Sequence, residues 1–439
     1  MPTKSAPPSS LRGALPWLFA LTAGVLLGLA LLKFGNPVIL DRLVTKPTTM
    51  VEFLIQPWPL KWGYCLLAGT ALLGLAVGFR LPSQRHWVMW LPLGWFVWQL
   101  IAGQKTVDEN LTNVTISHFA AVVACFALSL AVPLTPRQDG LLWAVLLPLY
   151  LCVLWTGFTQ HYGGLEATRQ YVYSTPGWEK LPAEHLKRLG SSRIFATLLY
   201  PNTLAGVILL LLPVMLVTTW RATRWLTPVT RAVLVGVTAY ASLACLVWSG
   251  SKAGWLIALA VSLACILHAG LATKWKATVV CLFLAAGLGG FFARNAGYFA
   301  KGATSVSARF DYWNAGWKTA ISHPWSGAGP GTFSVTYRRL KPPEAEMAQL
   351  AHNDYLEQAS DSGVLGALSY ATFVVGSLIV LHRRAKHDAL SLAVWLGLLG
   401  WALQSFVEFG LYIPAVGWTA FWMVGWLWKT CPPPVKVAV

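Results

Sequence analysis

One histidine and three basic residues stand where a very apolar sequence becomes polar, and their types suit proton transfer and phosphate chemistry. His352 follows the longest polar stretch of the chain, and an imidazole, which titrates near neutral pH, can accept a proton from a hydroxyl group. Arg193 and Lys252 each lie beside an apolar segment, and Arg309 lies within the long polar stretch. If these cations converge, they would suit a pyrophosphate, which arginine can bind through two parallel hydrogen bonds.

Each of these four residues also has a purely structural interpretation. A histidine in a loop is often a packing residue, and Arg193 could extend its charged head from the membrane interface into water. Lys252 could anchor a lipid headgroup, and Arg309 could contact a lipid phosphate. The catalytic interpretation therefore depends on whether the four side chains meet at one place.

Two further features are candidates for the same site. Glu408 lies at the end of an apolar segment, where a carboxylate is costly, so it is either functional or the partner of an arginine. Gly327, Gly329 and Gly331 follow one another in a short loop. Such a loop allows close backbone approach and could form an amide nest for an anion, or it could be only a tight turn.

The elements that must position these residues are predicted to be membrane-spanning helices. Of 439 residues, 56% are hydrophobic and 11% are charged, and the mean hydropathy is +0.56. A soluble domain carries about 25% charged residues. Apolar runs of about 20 residues, the length that crosses a bilayer, recur throughout. We therefore predict an all-α polytopic membrane protein whose residues 1–439 form a single domain. The predicted spans, about twelve in number, are 14–33, 61–79, 87–103, 115–134, 139–157, 194–219, 232–249, 253–272, 277–293, 362–381, 389–408 and 413–428.

The distribution of charge predicts the orientation. The net charge is +17. If both termini are cytoplasmic, the short inner connections hold 15 basic and two acidic residues, and the outer side holds the remaining 18 basic and 14 acidic residues, as the positive-inside rule expects. This pattern, with no nucleic-acid-binding motif, argues against a nucleic-acid partner. The two long polar stretches, 158–192 and 294–361, then lie on the outer side. We expect both to fold against the membrane surface.

Three local patterns complete the prediction. Residues 307–322 have a helical pattern that ends at His323-Pro324, and Pro201 is expected to kink the sixth span. The seven cysteines lie in apolar spans or at the C-terminal end, so we expect neither a disulfide framework nor a zinc site. No metal-binding motif is present, and we expect phosphate chemistry to use cations of the protein, with no metal and no cofactor.

Between residues 190 and 370 the chain resembles the Wzy_C/O-antigen ligase superfamily. The resemblance is carried by five pieces in order: Arg193 through Tyr200-Pro201-Asn202, the run Ser249 to Gly254, Arg309 with Trp313, His323-Pro324 through Gly327, Gly329 and Gly331, and His352-Asn353 with Gly363. It implies a glycosyltransferase of the GT-C type, with about twelve transmembrane helices and a large periplasmic loop that contains helices.

The resemblance also implies a reaction and its location. The chain would act at the periplasmic face of the bacterial inner membrane, without a metal. The donor would be an O-antigen glycan on undecaprenyl pyrophosphate, and the acceptor a sugar hydroxyl of lipid A-core. An O-antigen polymerase or a protein O-oligosaccharyltransferase would share this pattern. A lipid or sugar transporter fits less well, because we find no internal repeat.

The site residues implied by the resemblance fall into three groups. His352, Arg193 and Arg309 are expected to be catalytic. Arg193, Arg309, Lys252, Tyr200 and Asn202 are expected to bind the donor. The supporting residues are Asn353, Asp354, Glu408, Gly329 and Gly331.

Overall fold

The computed structural model describes residues 10–82, 86–174, 177–180, 186, 190–270, 272–300 and 304–431, and in these ranges the chain is helical, without a β-strand. The α-helices in chain order are α1 (Ser10–Lys33), α2 (Met50–Ile55), α3 (Leu60–Val77), α4 (Leu91–Gly103), α5 (Glu109–Ala131), α6 (Pro136–Thr159), α7 (Leu165–Ser174), α8 (Pro201–Ala222), α9 (Pro228–Trp248), α10 (Lys252–His268), α11 (Thr273–Ala300), α12 (Thr304–Ser322), α13 (Phe333–Leu340), α14 (Asp354–Ala385), α15 (Ala389–Gln404) and α16 (Pro414–Thr430).

The C-terminal helix α16 forms the centre of the bundle. It is buried along nearly its whole length, including Trp418 and Trp422, and packs mainly against α5. Helix α1 packs on α6, and α8 packs on α15. Helix α11 lies at the edge, with Phe291 as its one buried residue among those the structure describes. Packing is therefore densest around α16, whereas α11 is largely exposed at the edge of the bundle.

The helices support the predicted membrane character. In the described ranges, eight helices are long and apolar enough to cross a bilayer, and three shorter apolar helices accompany them. Each predicted span overlaps a helix. The count of about twelve spans stays a prediction, as does the orientation, and residues 1–9 and 432–439 at the two termini lie outside the described residues.

Pro201 does not kink a helix, so that prediction is wrong. It is the first residue of α8 and follows Tyr200, which has extended dihedral angles. A proline suits this position because the N–H that it lacks would have no partner inside the helix. Residues 194–200, predicted to begin the sixth span, are non-helical.

In its described residues, the predicted outer stretch 294–361 contains the end of α11, the whole of α12 and α13, the start of α14 and a small core. Helix α12 confirms the helix predicted over 307–322 and ends before His323-Pro324. Its Phe310 and Trp317 are 61% and 59% exposed, and the position of this face at the membrane interface stays a prediction. A separate cluster lies between α12 and α13 and consists of Tyr312, Ala315, Phe333, Tyr337, Ala348 and Ala351. In the other stretch, 158–192, α7 is described, but 175–176, 181–185 and 187–189 lie outside the described residues.

The glycine-rich loop packs into a break in α14. Gly363 interrupts this helix with φ 71° and ψ −169°. The backbone N–H of Gly329 donates to the carbonyl of Asp361 at 2.8 Å, and that of Gly331 donates to the Asp361 carboxylate at 2.6 Å. A Cβ on Gly327 would lie 2.3 Å from the backbone of Asp361. The loop is therefore a site of close packing, and the amides of Gly329 and Gly331 are not available to an anion.

Candidate active site

The carboxylate of Glu408 joins three separate segments at one end of the bundle. It follows α15, just before the 3-10 turn Gly410–Tyr412, and the residue is 7% exposed. Its Oε1 accepts hydrogen bonds from Nδ2 of Asn202 at 2.6 Å and from Nη2 of Arg309 at 2.5 Å. Its Oε2 lies 3.1 Å from Nδ1 of His352. Glu408 is thus the hub of the site.

Glu408 is held in the ionised form. Burial raises the pKa of its carboxyl group. His352 and Arg309, which face the carboxyl group, lower the pKa by more than burial raises it, so the pKa lies below its ordinary value of 4.5. A carboxylate has only acceptor oxygens, so Nδ1 of His352 must carry the proton in their hydrogen bond.

His352 stands in a constrained turn directly before α14. Its backbone φ is +52°, a left-handed conformation that non-glycine residues rarely adopt. The turn is fixed on both sides, since Ala351 donates to the carboxylate of Glu357 at 2.9 Å and Asn353 caps α14 by accepting from Leu356 at 3.0 Å. Strain of this kind costs about 1–3 kcal/mol and is concentrated at functional sites.

Two aromatic rings hold the imidazole of His352. The ring of Tyr312 stacks on it, with centroids 5.7 Å apart, and Phe409 meets it edge-on at 4.6 Å. Its Nε2 makes no hydrogen bond to the part of the chain that the structure describes. With Nδ1 bound to Glu408, Nε2 is the nitrogen that can accept a proton.

Arg309 is the counterion of Glu408. Besides that pair, its Nε donates to the carbonyl of Val407 at 3.2 Å and its Nη1 to the carbonyl of Ser305 at 3.2 Å. These contacts use three of its five N–H groups, one on each nitrogen. Of the two roles that the sequence left open for Glu408, the pairing with an arginine is observed.

Arg193 is linked to the same hub through an amide. Its Nη2 donates to Oδ1 of Asn202 at 2.6 Å, and the other end of that amide donates to Glu408. Its Nε donates to the carbonyl of Ser249 at 2.7 Å. Its Nη1 has no hydrogen-bond partner among the described residues. The pKa of Arg193 is lowered, mainly by burial and also by the charge of Arg309, and Glu408 offsets part of this decrease.

Lys252 completes the group of cations. It is the first residue of α10, after Ser251, whose side chain caps the helix by accepting from Gly254 at 3.2 Å. Its ammonium lies 3.9 Å from the ring centroid of Tyr298. Within the described ranges no carboxylate pairs with it. Its charge is therefore not neutralised by an ion pair.

Two cavities meet at His352. The cationic cavity, of about 500 Å³, is named for Arg193, Lys252 and Arg309, and the acidic residues Asp311, Glu344 and Glu346 also line it. The aromatic cavity, of about 490 Å³, is lined by Phe195, Tyr200 and Phe409. Arg193, Asn202, Tyr312, Glu346 and His352 line both. The predicted convergence of the three cations and the histidine is thus observed.

The predicted supporting residues have different positions. The carboxylate of Asp354 is buried and accepts from the backbone of Leu411 at 3.1 Å, away from both cavities. Sequence reasoning missed Tyr312 and Phe409, although Tyr312 follows Arg309 by three residues and so shares its helix face. Among the described residues, no set of three His, Cys, Asp or Glu side chains is placed to hold a metal ion.

A comparison of the sequence with known protein families finds a match over part of the chain. Residues 237–371 match the family model described as Wzy_C: O-Antigen ligase. The match covers less than half of the chain, and it confirms the resemblance predicted from the motifs. The matched residues include Lys252, Arg309 and His352, whereas Arg193 and Glu408 lie outside the match. No curated protein matches the chain.

Proposed function

We propose that this chain is an O-antigen ligase. It transfers an O-antigen glycan from undecaprenyl pyrophosphate to a sugar hydroxyl of lipid A-core, at the periplasmic face of the bacterial inner membrane. The observation that carries the proposal is the pair of His352 and Glu408, placed beside three cations where two cavities meet.

His352 acts as the general base. Because Nδ1 donates to Glu408, Nε2 has the free lone pair and accepts the proton of the acceptor hydroxyl. The positive charge that develops on the imidazole is stabilised by the Glu408 carboxylate. General-base catalysis of this kind contributes about 10²–10⁴-fold to the rate.

The cations stabilise the leaving group. The acceptor oxygen forms a bond to the anomeric carbon while the bond from that carbon to the pyrophosphate oxygen breaks, so the configuration inverts. The electron pair of the broken bond remains on the pyrophosphate. Arg193 and Lys252, which line the cationic cavity, offer charge to that group. The proton taken by His352 then passes to solvent.

We propose different roles for Arg309 and Arg193, because Arg309 is bound directly to Glu408. Three of the five N–H groups of Arg309 bind Glu408, Val407 and Ser305, and Nη1 and Nη2 each retain one N–H. We assign Arg309 first to fixing the Glu408 carboxylate, and its two remaining N–H groups and its charge then support the pyrophosphate together with Arg193 and Lys252.

The two cavities suit two substrates. A pyrophosphate is placed most favourably in the cationic cavity, and a sugar in the aromatic cavity, which combines rings with a few polar groups. His352 lines both cavities, which is where a base must lie to act on a hydroxyl entering from one side and an anomeric carbon entering from the other.

An O-antigen polymerase or a protein O-oligosaccharyltransferase would use the same chemistry on a different acceptor. Reconstitution separates them: purified chain, a glycan on undecaprenyl pyrophosphate and lipopolysaccharide lacking O-antigen are combined, with and without EDTA. Glycan joined to lipid A-core in both conditions supports the ligase without a metal. Lengthening of the glycan on its carrier would indicate a polymerase, and no transfer in any condition contradicts the proposal.

A further inference from the structure

The turn between α6 and α7 supports Arg193. In the sequence this turn precedes all of the other catalytic candidates. Residues Gln160–Gly164 form a π-helical turn in which Tyr162 and Gly163 leave helical dihedral angles. Turns of this type are rare and often occur at functional sites. The first residue of the turn, Gln160, is 7% exposed.

The side chain of Gln160 binds the backbone of the segment that follows Arg193. Its Oε1 accepts from the N–H of Phe195 at 3.0 Å and from the N–H of Ala196 at 2.7 Å. Its Nε2 donates to the carbonyl of Ala196 at 2.9 Å. One amide group thus satisfies three backbone groups that would otherwise be buried without partners, which is costly.

Residues 194–200 need such support because their conformation is unfavourable. Ala196 and Leu199 have φ values of 52° and 58°, in the left-handed region. Non-glycine residues keep this conformation only where surrounding contacts impose it. Gln160 makes its hydrogen bonds with Ala196, which is one of these two residues, and with its neighbour Phe195.

The same turn also supports the other side of Arg193. The ring of His161 stacks on Trp248 with centroids 3.8 Å apart and an angle of 6° between the planes. The carbonyl of Trp248 accepts from Ile194 at 3.3 Å. The next carbonyl, that of Ser249, accepts from Nε of Arg193. The turn Gln160–Gly164 therefore supports the backbone that follows Arg193 and, through Trp248, the segment of backbone that binds its guanidinium.

We propose that Gln160 is a positioning residue for glycosyl transfer. It fixes segment 194–200 so that the guanidinium of Arg193 faces the donor pyrophosphate, and it acts through Arg193 without touching a substrate. This inference rests on the proposed function. Because displacement of a catalytic group by about 1 Å can cost 10²-fold in rate, loss of Gln160 lowers kcat more than it raises KM for the donor.

A double-mutant cycle tests the inference. Gln160→Met keeps the size of the side chain and removes the three hydrogen bonds, and transfer is measured for Gln160→Met, Arg193→Ala and the double variant. We expect Gln160→Met to lower kcat about 10–100-fold, and to have almost no further effect when Arg193 is already alanine. A role in stability alone would lower activity equally in both backgrounds.

Gln138→Met is the matched control. Gln138 is also a buried glutamine, but it lies in the first turn of α6, at the end away from Gln160, where it pairs with Thr135. We expect this variant to lower the unfolding temperature while kcat stays unchanged. If Gln160→Met does not fold, Gln160→Glu, which keeps an acceptor oxygen for Phe195 and Ala196, enters the same cycle.

The outcomes separate this inference from the proposed function. An unmodified chain without transfer activity contradicts the function itself. An active chain in which Gln160→Met has wild-type kcat, or loses the same factor with and without Arg193, overturns the positioning role alone.

Discussion

Nδ1 of His352 lies 3.1 Å from one oxygen of Glu408, and the other oxygen of that carboxylate is held by Arg309. The carboxylate therefore orients the imidazole while an arginine fixes the carboxylate. Catalytic histidines in other folds are oriented by carboxylates in the same manner. The arrangement explains how a histidine in a surface loop can present one defined nitrogen to a substrate.

Replacing His352 tests its role as the base. We expect His352→Ala to abolish transfer and to leave folding and donor binding largely intact, because the cations that bind the donor remain. Transfer is followed with reconstituted protein, and binding with undecaprenyl pyrophosphate. His323→Ala, a change of an exposed histidine in the same stretch, is the control and should retain activity. Transfer by His352→Ala at the wild-type rate would rule out the assignment.

Glu408→Gln tests the orientation of the imidazole. The amide keeps the size of the side chain but removes the charge that fixes the proton on Nδ1. We expect kcat to fall by about 10²–10⁴-fold, the contribution of a correctly protonated base. A variant with unchanged kcat would show that Glu408 serves only as a structural partner of Arg309.

The stability of the folded chain should depend on pH through Glu408. The pKa of this carboxyl is lower in the folded chain than its ordinary value of 4.5, so its stabilising effect is complete above 4.5 and is lost as the pH falls toward the folded value. We expect the unfolding temperature to fall in that acidic window. In Glu408→Gln, which starts from a lower stability, this part of the decrease should be absent. An identical acid profile in both proteins would contradict the prediction.

Lys252 should affect donor binding more than the chemical step. A hydrogen bond to a charged group contributes about 1.5–3 kcal/mol, so we expect Lys252→Ala to raise KM for the donor by about 10–100-fold. Lys252→Arg should retain most of the affinity. Lys318→Ala removes the same charge from an exposed position of α12 and is the control. Equal KM values for Lys252→Ala and the control would exclude contact with the donor.

The glycine-rich loop is predicted to matter for folding. In Gly327→Ala the new Cβ would lie 2.3 Å from the backbone of Asp361, and φ is 61°, so we expect a large loss of folded protein after extraction in detergent. Gly297→Ala on α11 is the control, because nothing lies within 4 Å of a Cβ there. A stable Gly327→Ala protein that has lost only donor affinity would favour the anion nest instead.

The sequence predicted the helical class and the convergence of the cations for physical reasons. Apolar runs of about 20 residues have few alternatives to helices in a bilayer. Arg193 and Lys252 stand at the ends of such runs, Arg309 lies in the polar stretch between two of them, and all three were predicted on the same membrane face. Their meeting in one cavity follows from that restriction.

Other contacts could not be predicted because they depend on non-helical backbone. Residues 194–200 are apolar enough to continue a helix, yet they are held in turns by Gln160. Asp361 ends the predicted polar stretch 294–361, yet its side chain is buried and its carboxylate accepts from the amide of Gly331. In both cases a buried side chain binds non-helical backbone, and hydropathy does not report such a contact.

The hub at Glu408 also fixes when the site can exist during synthesis of the chain. Glu408 follows Asn202 by 206 residues and Arg309 by 99. A nascent chain that has already inserted its cations lacks their counterion until α15 has emerged. No shorter translation intermediate can therefore contain a complete site, and under the proposed function a partly inserted chain does not consume lipid-linked glycan.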